Sequence, residues 1–104
     1  MRMIKWATDI MRGNLSEARK YISKAYELRD VNRQAADWCK DMAAMHLQFN
    51  VAGHNVGEKL IAEYAASGAN SELAPGMKAV YADLHADMVR ETAEIKAMID
   101  TYGK

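Results

Sequence analysis

The chain has one cysteine, one proline and no net charge. A lone Cys39 cannot form an internal disulfide, which excludes a disulfide scaffold and fits a reducing, cytoplasmic setting. No apolar run approaches the roughly 20 residues of a membrane-spanning helix, so no membrane association is expected. The opening Met-Arg-Met-Ile-Lys-Trp-Ala-Thr-Asp-Ile-Met-Arg also lacks the apolar block of a signal peptide. Runs of alternating Val, Ile or Thr are missing, which argues against a sheet. The zero total disfavours nucleic acid as a partner, because its binders usually carry a basic domain.

Catalytic groupings are scarce too. Ser16, Ser23, Ser67 and Ser71 stand in capping, helix or loop contexts without a His–Asp arrangement. Cys39 has no neighbouring base or helix N-terminus to activate it, and no glycine-rich loop suits a phosphate. The expectation is a protein that is not an enzyme and uses no cofactor.

What is present is helical. The 104 residues suit one domain, and 50% are hydrophobic against 27% charged, as in an ordinary folded protein. Ala, Met, Lys, Glu and Arg are frequent, and all tolerate helix well. Residues 1–13 read as a short helix or a frayed arm that Gly13 stops, and residues 14–104 as the single helical domain. Asn14 with Glu17 forms a capping-box pattern ahead of the stripe Leu15, Ala18, Ile22, Ala25 and Tyr26. Asp30-Val31-Asn32 is a short break, which favours antiparallel neighbours.

The second helix is expected from about Arg33 to Ala66. Its main stripe is Trp38, Met42, Met45, Phe49, Ala52, Val56, Leu60 and Tyr64, in helical phase throughout. Asn55 with Glu58 resembles a second capping box, so a break near Gly53 competes with one continuous helix. Ser67 to Gly76 reads as a loop, and a last helix is expected from about Met77 to Tyr102.

A second apolar set, Leu47, Val51, His54, Ile61 and Ala65, lies on the side of the middle helix opposite its main stripe. A helix of 34 residues is about 50 Å long, and the first helix, at about 16 residues, covers roughly half of it. One copy therefore has too little material to cover both sides. A symmetric pairing of two copies completes a bundle, with Leu47, Val51, His54, Ile61 and Ala65 as the self-association face and Gly53 and Gly57 allowing close approach. The competing reading folds residues 2–12 back over the gap. Trp38, on the other side, is expected in the core of each protomer.

Charge is uneven: residues 1–33 hold eight Lys/Arg against four Asp/Glu, and the remainder holds six against ten. Arg19, Lys20 and Lys24 with Tyr21 form a basic patch of low specificity. Glu91 falls inside the apolar stripe of the last helix and needs a partner, for which His46, Tyr26, Arg29 or a metal qualifies. The three histidines, His46, His54 and His85, raise the question of a metal. The Glu-x-x-His signature of dinuclear bundles is missing, since Ala43, Val51 and Ala82 stand where its glutamates belong. No metal site is therefore expected, and His54 with Glu58 reads as a simple hydrogen-bonding pair.

Several stretches resemble small uncharacterised proteins of bacteria and of their phages and prophages. They are Ala18-Arg19-Lys20-Tyr21-Ile22-Ser23-Lys24-Ala25, Ala36-Asp37-Trp38-Cys39-Lys40-Asp41-Met42-Ala43, Met45-His46-Leu47-Gln48-Phe49-Asn50, His85-Ala86-Asp87-Met88 and Thr92-Ala93-Glu94-Ile95-Lys96. The resemblance runs from about Ala18 onward and brings no activity with it. The layout is also similar to ferritin-like bundles, which implies metal binding as the alternative function. The leading expectation is an all-α helical hairpin plus a shorter helix, a structural or interaction protein whose partner is itself, as a homodimer or higher oligomer.

Overall fold

The computed structural model describes the backbone of residues 2–66 and 75–103, and the side chains of residues 5–59 and 82–103. Among these the chain is an all-α bundle of three helices without strands: α1 (Arg2–Leu28), α2 (Arg33–Ala66) and α3 (Pro75–Tyr102). Asn32 starts α2 as its N-cap, its Oδ1 accepting from the Ala35 amide at 3.0 Å. Pro75 stands at the first position of α3, where its missing N–H has no intrahelical partner to lose. Most of the expected loop, residues 67–74, lies outside the described residues.

Cross-helix contacts fix the directions. Met11 of α1 lies against Gly53 of α2, and Tyr21 against Trp38, so α1 and α2 are antiparallel. Arg19 pairs with Glu91, Tyr26 with Met98 and Arg29 with Tyr102, so α3 runs parallel to α1.

The separate N-terminal arm is not observed. One helix of 27 residues runs through Gly13, and Asn14 sits inside it with its Oδ1 3.4 Å from His46 Nδ1. Gly13 is no stop because Leu15 and Met11, on either side of it, are both buried against the rest of the chain. Tertiary burial of the stripe outweighs the glycine cost of about 0.5–1 kcal/mol. A β-carbon at Gly13 would meet nothing within 4 Å. Gly13→Ala is accordingly expected to stabilise the chain by about 0.5–1 kcal/mol in urea denaturation. A loss of stability would instead mark Gly13 as a left-handed helix stop.

The break near Gly53 is also not observed, since α2 is continuous over 34 residues. The fully buried residues are mostly small where α1 meets α2: Ala18 and Ala25 on one side, Ala36 and Ala43 on the other, with Cys39 beside them. Among the described residues, Leu15, Ile22 and Ile95 are the largest side chains sealed inside. Small residues let two helix backbones approach closely, and the larger side chains of α2 are left on its far side. Trp38 is therefore not a core residue of the protomer, being 57% exposed.

At one end of the bundle the last turn of α3 is held by the α1–α2 corner. Tyr26 Oη donates to the Met98 carbonyl at 2.8 Å, and the Tyr102 ring meets Tyr26 edge-on at 5.6 Å. Tyr102 Oη donates to Asp37 Oδ1 at 2.9 Å, beneath the guanidinium groups of Arg29 and Arg33. Burial raises the Tyr102 phenol above its ordinary value, and the hydrogen bond to Asp37 raises it further. A raised phenol favours the protonated fold, so this stability is complete below about pH 10 and is lost as pH climbs through the folded value. Above about pH 10, the parent chain should lose stability more steeply with pH than Tyr102→Phe in denaturant titrations. Equal slopes would remove Tyr102 as the source.

Candidate functional site

Two features stand out, and they lie on different sides of α2. The first is an apolar row facing outward. Met45 is 44% exposed, Val56 59% and Phe49 61%, and with Trp38 they repeat at helical spacing. Met42 and Ala52 fill the intervening turns. The row spans about 27 Å from Trp38 to Val56 at 1.5 Å per residue. Scattered exposed apolar residues are ordinary, whereas contiguous exposed apolar patches are less common on a monomer. Tyr21 organises one end of it, meeting Trp38 edge-on at 5.8 Å and stacking on His46 at 5.5 Å.

The face read from the sequence as the self-association surface sits differently. Leu47 packs against the intrachain core, His54 is partly buried, and Gly53 faces Met11, whose Cγ would lie 3.5 Å from an added β-carbon. Val51 is exposed, a β-carbon at Gly57 would meet nothing within 4 Å among the described residues, and the side chains of Ile61 and Ala65 lie outside them. α2 thus carries apolar residues on two sides: the row with Trp38 points out, while on the other side Leu47 and Gly53 face the rest of the chain and Val51 is exposed.

The second feature joins α2 to α3. His54 and Glu58 are one turn apart on α2, and His85 meets them from α3. The two Nε2 atoms are 2.6 Å apart, and Glu58 Oε1 is 3.4 Å from the first and 3.7 Å from the second. The ring centroids are 4.7 Å apart at an interplanar angle of 24°. That separation is close to the N···N distance plus two ring radii, so the nitrogens point at each other. Asn50, one turn before His54, is 3% exposed, and among the described residues its Oδ1 has no hydrogen-bond partner. Asn50 and His54 share the wall of a cavity of about 120 Å³ with Met11, Val51, Met88, Val89 and Thr92.

His85 and Glu58 were not grouped in the sequence because they are 27 positions apart. The pairing register of α2 against α3 is what brings them together. The His54–Glu58 spacing was the available signal.

The basic patch of α1 is largely neutralised. Arg19 donates to Glu94 at 2.8 Å and to Glu91 at 3.1 Å, which supplies the partner Glu91 needs. Those bonds, to Glu94 first and then Glu91, raise the Arg19 guanidinium above its ordinary value. Lys20 pairs with Glu17 and Lys24 with Glu27. The cleft of about 840 Å³ between α1 and α3 therefore mixes both signs, Arg12 and Arg90 beside Asp87 and Glu91. Cys39 is buried and free.

Among the described residues no helix is long and apolar enough to cross a membrane. Comparison of the chain with family models, with curated proteins and with solved structures gives no match in any of the three.

Proposed function

We propose that this is a non-enzymatic structural or interaction protein that works as a self-associated bundle, with the outward row of α2 as the contact. The observation that supports this reading is the exposure of Trp38, Met45, Phe49 and Val56 on one line of a single helix. This moves the self-association face from the Leu47 side to the opposite side of α2.

A second copy is the occupant that suits the row. The row reads with the same spacing in both directions about Leu47. An antiparallel two-fold pairing therefore sets Trp38 against Val56, Met42 against Ala52 and Met45 against Phe49 of the other copy. Each pair places a larger side chain against a smaller or flexible one, the pattern of interlocking helix surfaces. Closed two-fold pairs are also the commonest form of self-assembly. The protomer measures 55 × 20 × 19 Å, so one side offers on the order of 1,000 Å². A stable interface takes about 800 Å² from each partner. The test is the solution mass of the intact chain by light scattering at micromolar concentration. A dimer or higher oligomer is expected, and a monomer would end this reading.

A further inference from the structure

The His54–Glu58–His85 cluster lies on the inward side of α2, away from the proposed contact between copies, and that contact gives it no role. Two imidazole nitrogens and a carboxylate converge there from two helices, their ligand atoms all within 4.8 Å of one another. We propose that His54 Nε2, His85 Nε2 and Glu58 Oε1 bind one divalent first-row transition cation of the zinc type, with a remaining coordination position for water.

The donor set selects the ion. Nitrogen ligands suit zinc, cobalt, nickel and copper, whereas calcium and magnesium require oxygen. Two histidines with one carboxylate form a three-ligand set that leaves zinc an open position. Metal–ligand bonds of about 2.0–2.1 Å in tetrahedral geometry put ligand atoms about 3.3 Å apart. The two Glu58–histidine distances, 3.4 and 3.7 Å, already fit that spacing. The histidine nitrogens, 2.6 Å apart, need to open by about 0.7 Å, within the freedom of the half-exposed His85 ring. Aimed nearly head-on, the two nitrogens share a hydrogen bond as they stand, and each ring has to tilt by about 35° to bring its lone pair onto a shared tetrahedral cation.

Asn50 is the independent observation. Its buried Oδ1 has no hydrogen-bond partner among the described residues, and the side chain shares with His54 the wall of a cavity that Glu58 and His85 do not line. About 120 Å³ holds one or more waters, through which Asn50 would act on the site as an outer partner.

The test uses the full chain without a histidine tag, stripped with chelator and titrated with zinc by calorimetry and with cobalt by visible absorption. One ion per chain is expected, with cobalt bands of a low-symmetry site and no response to calcium. His85→Ala, at an exposed position, should lower zinc affinity more than about 100-fold, beyond the 10–100-fold typical of an outer-shell partner. His54→Ala should do the same, with circular dichroism verifying its helix content. His46→Ala should leave affinity unchanged, and Asn50→Leu should reduce it about tenfold. Substoichiometric binding, or equal affinity in His85→Ala and the parent chain, would overturn the site. Unchanged affinity in Asn50→Leu would overturn the role given to Asn50. Self-association is read from solution mass, so either result stands apart from the other.

Discussion

Replacing Met45 and Phe49 together by aspartate should reduce the solution mass to that of one chain while leaving the helix signal nearly intact. Both side chains point away from the protomer core, at 44% and 61% exposure, so neither substitution removes intrachain packing of consequence. The cost within the helix is limited to propensity, below about 0.7 kcal/mol per site. In the proposed two-fold pairing these positions face each other, so four carboxylates would meet in a contact built for apolar side chains. Burying unpaired charge costs far more than an interface of this size gains. Leu47→Asp serves as the contrast. Leu47 packs against the core cluster of its own chain, so that change should unfold the protomer rather than separate two folded ones. Light scattering with circular dichroism reads both outcomes. A mass unchanged by the double substitution would place the contact elsewhere.

In that monomeric background, Ile22→Ala is expected to cost about 2–5 kcal/mol, the range for large-to-small changes in a closed core. Ile22 is fully buried in a core cluster to which all three helices contribute. For a chain of this size each kcal/mol lowers the melting temperature by about 4–8 °C. Trp38→Ala deletes a larger side chain yet should cost less in the same background, because Trp38 keeps 57% of its surface in water. Its main lost contact is the edge-on meeting with Tyr21. Thermal denaturation of the two variants gives the order directly. If Trp38→Ala proved the more damaging, the inside and outside of α2 would have to be exchanged again.

That exchange marks the limit of what the sequence shows. The helical class, the span of α2 and the corner before Arg33 were legible, because periodicity and short polar breaks are local signals. The apolar side of α1 was legible as well, in Leu15, Ala18, Ile22 and Ala25. Which side of α2 it meets was not. Size alone favoured Trp38, Phe49 and Met45 as the inner set, yet α1 packs against Ala36, Cys39 and Ala43. Close helix approach rewards small side chains, and that preference depends on the partner surface rather than on either stripe alone. Gly13 misled for a related reason, since a local stop signal gave way to burial of Met11 and Leu15 around it. Glu91 was correctly read as needing a partner, but Arg19 sits 72 positions away, and no local pattern connects them. The histidine cluster was hidden in the same way, half of it visible on α2 and half set by how α3 lies alongside.

The corner at Arg29–Asn32 gives the molecule a preferred order of assembly. α1 and α2 meet across a turn held by Val31 and Asn32 amides donating to the Leu28 carbonyl, so their first contacts close a short loop at small entropic expense. The bonds that seat α3, from Tyr26 to Met98 and from Arg29 to Tyr102, close loops of more than 70 residues. The hairpin therefore forms first and α3 docks late. Until it docks, Ile22 and Ala25 lack a lid on one side, and the hairpin carries open apolar surface on both flanks. At that stage two chains can trade their third helices once their concentration approaches the roughly millimolar effective concentration of a tethered helix.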